Sequence, residues 1–328
     1  MDNVLVTGGA GYIGSHACKA LRAAGFNPVT FDSLVTGWED AVKFGPFERG
    51  DLLDRARLDE VFAAYRPVAV MHFAALSQVG ESMQEPGKYW LNNAGGSLNL
   101  IEATAAAGCK HFVFSSTCAT YGDQDNVVLD EESVQQPINA YGASKRAVEN
   151  ILYDFERRFG LRHVIFRYFN VAGCDPLQRT GQSTRGATHL IKLACEAALG
   201  KRPFLGVFGT DYDTDDGSCV RDFIHVSDLV NAHYAALNFL RQGGLKFTAN
   251  CGYSKGYSVL EVIDAVKRVS GNDFPVRMEP RRAGALHWVF AARDVDLSRA
   301  ECRGHYQSER SRDPQPRNPE IRLLAALS

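Results

Sequence analysis

The first half of the chain alternates between two hydrophobic periods. Short, nearly continuous apolar runs at residues 4–7, 28–32, 68–73, 111–115 and 163–168 have the length and the β-branched or aromatic content of strands. Between them, residues 16–24, 58–65 and 97–107 place apolar side chains at the spacing of one helical face. A strand that is apolar on both faces is covered by helices above and below, the condition of a parallel sheet. The pattern predicts an α/β fold with a Rossmann-type, doubly wound parallel sheet and right-handed crossovers, occupying residues 1–170.

After residue 170 the rhythm loosens. Residues 173–186 mix Gly, Pro, Thr, Ser and Arg without any period and read as a long loop, a length that often carries function. Helical patterns return at 188–199, 226–240 and 258–270, with a short strand at 204–208 and a polar loop running through Ser218. Residues 171–328 are therefore expected to form a smaller C-terminal α/β domain over the carboxyl edge of the sheet, the chain returning to the first domain near 220–240. No internal repeat or low-complexity block interrupts this order.

Composition narrows the function classes. The 328 residues are 45% hydrophobic and 23% charged with a formal net charge of -2, and both signs are interspersed. That balance leaves no basic footprint for nucleic acid. The eight cysteines are scattered without a C-x-x-C pair, which argues against a zinc site or disulfide framework and for a reducing compartment. No apolar run approaches membrane-span length, and the first strand begins at Asn3, leaving no room for a signal peptide. A cytoplasmic enzyme without a metal is the expectation.

The first strand runs directly into Gly8-Gly9-Ala10-Gly11-Tyr12-Ile13-Gly14 and then a helix. Of the three spaced glycines, Gly8, Gly11 and Gly14, one permits a tight turn, one lets backbone N–H groups approach a pyrophosphate, and one lets helix pack on strand. The helix N-terminus adds a positive dipole end. Asp32, about twenty residues on at the end of the second strand, suits the ribose hydroxyls of NAD and would repel the extra phosphate of NADP.

Tyr141 and Lys145 stand one helical turn apart in Asn139-Ala140-Tyr141-Gly142-Ala143-Ser144-Lys145, at the start of a helix reaching about Phe159. A nearby ammonium and a positive nicotinamide both favour the phenolate, which predicts a base usable near neutral pH. The strand at 111–115 ends in Ser115-Ser116-Thr117, and a hydroxyl at the carboxyl end of a parallel strand points into the ligand crevice. Thr117 is thus a candidate donor or proton relay to a substrate hydroxyl.

With these residues in place, the sequence resembles the UDP-glucose 4-epimerases, of the extended short-chain dehydrogenase/reductase type. The matching stretches are TGGAGYIGSH (7–16), HFAAL (72–76), VGES (79–82), FSSTCATYGD (114–123), YGASK (141–145), RYFN (167–170), FGTDYDT-x-DG (208–217) and VRDFIHV-x-DL (220–229). The glycine loop and the Tyr-Lys pair are shared across the superfamily; the 208–229 block is far narrower. The resemblance implies that Tyr12, Ile13, Asp32, Asp51, Leu52, Phe73, Ala74, Asn92 and Phe169 contact NAD. It implies chemistry by Thr117, Tyr141 and Lys145, and UDP-sugar contacts by Asn170, Phe208, Arg221 and Arg282. It also implies a homodimer joined through helices at 93–107 and 141–159, and a place in galactose metabolism or polysaccharide supply.

Some positions depart from that pattern. Ser77 stands where the family commonly has Lys, and Ala285 where it usually has a carboxylate. Val289 aligns with a position that helps set pocket size beside the sugar C2 substituent. Residues 301–320 are polar and proline-bearing, as a disordered segment would be. Three rival readings stay open. One is another nucleotide-sugar epimerase, for a UDP-N-acetylhexosamine or a UDP-pentose or uronate, of which the uronate would need a cation for its sugar carboxylate. A nucleotide-sugar 4,6-dehydratase would need an acid/base pair after the strand-end Thr, where Cys118-Ala119 stand. A non-catalytic NAD sensor would ordinarily lack the Tyr or the Lys.

Overall fold

The structure is a computed structural model and describes residues 1–124, 128–281, 288, 289 and 291. The first part comprises β1 (Asn3–Thr7), α1 (Tyr12–Ala23), β2 (Asn27–Asp32), β3 (Phe47–Arg49), α2 (Arg55–Tyr65), β4 (Ala69–His72), α3 (Val79–Gln84), α4 (Pro86–Tyr89), α5 (Gly96–Ala106), β5 (His111–Thr117), α6 (Ala140–Phe159) and β6 (Arg162–Tyr168). A π-helical turn at Trp90–Gly95 joins α4 to α5. Then follow β7 (Asn170–Ala172), α7 (Leu190–Ala198), β8 (Leu205–Phe208), β9 (Val220–His225), α8 (Val226–Arg241), β10 (Lys246–Cys251), β11 (Gly256–Ser258), α9 (Val259–Ser270), β12 (Val276–Glu279) and β13 (Trp288–Val289).

Seven strands form one sheet in the order β10-β6-β5-β4-β1-β2-β3, every pair parallel. Side chains alternate across it as the pleat requires. Val4 and Val6 face one apolar layer with Leu21 of α1 and Leu229 and Leu237 of α8. Leu5 faces the other, with Leu58 of α2, Leu100 of α5 and Leu152 of α6. Each such fully buried aliphatic side chain stabilises the fold by roughly 2 kcal/mol. The predicted doubly wound parallel sheet is what the chain forms.

Local signals explain the long helices. The Asn139 side chain accepts the Gly142 N–H at 2.8 Å and starts α6; Gly160, at φ 66, ends it. Ser258 and Glu261 form a capping box for α9, closed by Gly271 at φ 67.

The structure departs from the pattern reading after residue 170. β10 lies beside β6 and extends the main sheet, although its sequence KFTANC alternates polar residues and carries no continuous apolar run. β9 organises a second sheet with β7, β11 and β13, and β8 pairs with β12. The 190–198 helix and the 205–208 strand fall within the predicted segments, and residues 173–189 hold no helix or strand. Arg282, Ala285 and residues 301–320 lie outside the described residues, as does the side chain of Val289. No described helix is long and apolar enough to cross a membrane. No cluster of three or more His, Cys, Asp or Glu among the described residues could hold a metal.

Candidate active site

The carboxyl ends of β1, β2, β4, β5 and β6 open into a cavity of about 750 Å³. It is bordered by Gly8, Gly11, Tyr12, Ile13, Gly14, Asp32, Asp51, Leu52, Phe73, Ala74 and Asn92, all residues that the sequence assigns to a dinucleotide. Two glycines there are dictated by close approach. A Cβ on Gly8, which has φ +74, would stand 2.6 Å from the Ala74 nitrogen, and one on Gly14 would stand 2.2 Å from the Gly8 carbonyl oxygen. Gly11 borders the cavity and begins α1 without any capping side chain, so the first-turn N–H groups keep their donors for a ligand. Asp32 accepts the Ala10 N–H at 3.0 Å and the Leu34 N–H at 2.9 Å, which ties the glycine loop to the end of β2. Burial raises its pKa, and those two hydrogen bonds oppose the rise. The residues fit a dinucleotide.

Thr117, Tyr141 and Lys145 line this same cavity, with Ser115, Ser116 and Cys118. Thr117 ends β5 and accepts the Ala119 N–H at 3.1 Å, while its hydroxyl hydrogen-bonds Tyr141. Lys145, 3% exposed, donates to the Ser115 carbonyl at 2.8 Å and lies 4.9 Å from the centre of the Phe114 ring. Burial pulls its ammonium down to about 7, against the pull of Glu149. Tyr141 also feels an opposing effect that spacing does not show. Burial pushes its phenol up to about 12, and the Thr117 hydrogen bond only partly offsets that. Desolvation of the phenolate dominates, and the neighbouring Cys118 adds to it.

Phe169, assigned by the sequence to NAD, and Asn170 and Arg221, assigned to the substrate, border the same cavity. Asn170 begins β7 and donates to the Asp222 carbonyl at 3.2 Å. Arg221, in β9, donates to the Val220 carbonyl at 2.8 Å, and its charge partly opposes the burial that pushes the Cys118 thiol up to about 12. Phe208 ends β8 and is not among the described residues that border the cavity. Ser77 is.

Several residues escaped the sequence reading. Asn93, 1% exposed in the π-helical turn, accepts the Leu76 N–H at 2.9 Å and donates to the Leu76 carbonyl at 3.0 Å and the Ser144 hydroxyl at 3.2 Å. It binds the segment after β4 to α6. The 173–189 segment is strapped to the glycine-loop half. Tyr12 donates to the Gly173 carbonyl, Lys19 pairs with Asp175 at 2.8 Å and Lys43 reaches the Arg179 carbonyl at 2.8 Å. The Trp38 indole donates to the Ser183 carbonyl at 2.7 Å, the Arg185 N–H to the Thr36 carbonyl at 3.3 Å, and the Arg185 guanidinium lies 4.0 Å from the centre of the Trp38 ring. Only the lack of period at 173–186 signalled this region.

Residues 4–252 match the profile of the NAD dependent epimerase/dehydratase family, and the chain belongs to that family. Within it, the chain is similar to proteins named UDP-glucose 4-epimerase. It is 49% identical over 298 residues to the one of Rhizobium leguminosarum bv. trifolii, covering 90% of this chain and 91% of that protein. It is 51% identical over 292 residues to that of Azospirillum brasilense, covering 89% and 84%. The crystal structure of UDP-glucose 4-epimerase from Brucella ovis in complex with NAD superposes with a TM-score of 0.88 at 43% identity, covering 92% of this chain and 93% of that one. The Bifidobacterium longum enzyme in complex with NAD+ and UDP gives 0.88 at 32% identity, covering 99% and 96%.

Proposed function

We propose that this chain is a UDP-glucose 4-epimerase, an NAD-dependent isomerase that interconverts UDP-glucose and UDP-galactose. The observation that carries the reading is that Thr117, Tyr141 and Lys145 line the same cavity as the residues that suit a dinucleotide. The first part of the chain, with the helix and strand at 226–251, holds NAD; the rest holds the UDP-sugar.

NAD bound along Gly8, Gly11, Gly14 and Asp32 supplies a reversible hydride acceptor for sugar C4 and a positive ring that favours a phenolate nearby. Tyr141, as phenolate, removes the proton from the 4-hydroxyl and returns it once the sugar has presented its other face. Thr117 orients that hydroxyl and stabilises the phenolate by donating to it. Lys145 balances the phenolate charge. Arg221 holds the diphosphate with a planar, permanently charged fork, as Arg282 would. Binding energy collected on the UDP lets the sugar itself be held loosely enough to turn. A 4,6-dehydratase is disfavoured because Cys118 and Ala119 follow Thr117 where elimination needs carboxylates.

The chain forms a homodimer through α5 and α6 in this reading, consistent with the exposed Trp90, Leu91 and Leu98 beside them; sedimentation at micromolar concentration decides. The activity is tested by incubating the purified protein with UDP-galactose. UDP-glucose is expected without any added acceptor, and its failure to form in folded, NAD-containing protein overturns the reading.

A further inference from the structure

Glu149 lies one helical turn beyond Lys145 on α6, 1% exposed, and the chemistry described above does not use it. Its carboxylate accepts the Ser116 hydroxyl, Arg167 Nε at 3.2 Å, Arg167 Nη2 at 2.8 Å and Gln135 Nε2 at 3.0 Å. Ser116 sits between the residue whose carbonyl holds Lys145 and the residue whose hydroxyl reaches Tyr141. Gripping Ser116 therefore fixes the end of β5 against the catalytic helix. Such a buried ion pair is often no more stabilising than apolar residues of the same volume, so its place beside the lysine asks for another reason.

The surroundings of Lys145 supply one. From β5 it meets the Ser115 carbonyl and the Phe114 ring. From β4 it faces His72, kept neutral by burial with both ring nitrogens bonded, to Thr7 at 2.7 Å and Ser97 at 2.8 Å. Its own helix brings Tyr141 and Glu149. Arg167, from β6, is spread over the Tyr121 ring at 5.0 Å and bonds the Tyr121 hydroxyl at 2.9 Å as well as Glu149. Among these groups Glu149 is the one carboxylate, and it opposes the desolvation of the ammonium.

We propose that Glu149 is a positioning residue of the catalytic corner, which fastens the end of β5 to α6 through Ser116 and keeps a negative charge beside Lys145. The inference rests on the epimerase reading and deepens it. Glu149→Gln keeps an acceptor for Ser116 but removes the charge. A cation without its counter-charge loses its proton at lower pH, so the alkaline limb of kcat should move down by about one pH unit. Turnover should fall about tenfold at pH values above the limb, with KM for UDP-galactose and NAD content unchanged.

Because Arg167 loses its partner in that variant, Glu149→Gln combined with Arg167→Gln is measured beside it and should show the same shift. Glu149→Asp should restore the limb. A native alkaline limb in folded, NAD-loaded Glu149→Gln, or in the double variant, overturns the proposal. So does failure of both variants to fold, which would make the residue structural. A native chain that does not turn over UDP-galactose overturns the epimerase reading instead.

Discussion

Thr117, Tyr141 and Lys145 come to the cavity from one strand end and one helical turn, whereas the 173–189 segment borders it through contacts spread over a long loop. The catalytic corner is held from behind by buried groups: Asn93, Ser116, Glu149 and Arg167. The strap is held largely by half-exposed or exposed groups, with Trp38 41% exposed. A catalytic base must keep its geometry to a fraction of an ångström, and buried, fully bonded supports provide that. A strap across a cofactor cleft has to form around a ligand, and its weaker, solvated contacts suit that task. On the proposed reading, one wall serves chemistry and the other retention.

The most severe way to break this division is Tyr141→Phe. Removing the base should lower kcat by about a thousandfold, within the range of general-base catalysis. NAD content should stay as in the native protein, read by absorbance after denaturation. Loss of NAD together with activity would mean that the corner also carries retention.

The strap tests the converse. Arg185→Ala removes a cation–π contact worth about 0.5–1 kcal/mol at an exposed site, so NAD should dissociate about two- to fivefold faster. Exchange against labelled NAD measures this directly. The pH limbs of turnover should stay where they are, and a shift in them would show that the strap reaches into the catalytic corner.

How much of this was legible in the sequence follows the range of each interaction. Tyr141 and Lys145 were visible because one helical turn brings them together whatever else the chain does. Gly8, Gly11, Gly14 and Asp32 were visible because a strand, a turn and a helix in sequence create the site locally. Glu149 reads as any acid on a helix until Arg167 and Ser116 are seen around it. Trp38 and Arg185 lie far apart in sequence, and no local period links them. β10 was missed because an edge strand half-open to solvent has no continuous apolar run to show. The burial that raises the Tyr141 pKa had no sequence signal for a related reason: the charges near Tyr141 can be guessed from spacing, but the cost of burying it depends on everything packed around it.

The smallest effect separates scaffold from strap by acid. Burial holds His163, in β6, and His233, in α8, down to about 4, with His16, behind the glycine loop, depressed to the same value. The unfolded chain takes up these protons near pH 6.5 and the folded chain does not until about pH 4, so stability falls as pH drops through that window. Each histidine contributes a slope of at most about 1.4 kcal/mol per pH unit. Asp175, which anchors the strap to Lys19 and is gripped within the strap by Arg179, loses its contribution in the same direction but over a lower pH window. Those cations hold its carboxyl well below the usual range, so its contribution is present above the ordinary carboxylate pKa and is lost only at much lower pH. His163→Leu, at a site where neither ring nitrogen has a hydrogen-bond partner, should therefore gain about 1–2 kcal/mol at pH 5 relative to pH 7. Asp175→Asn should lower stability equally at both. Urea melts at the two pH values measure the difference, and a pH-dependent loss in Asp175→Asn would mean that the strap, not the buried sheet, sets the acid limit of the fold.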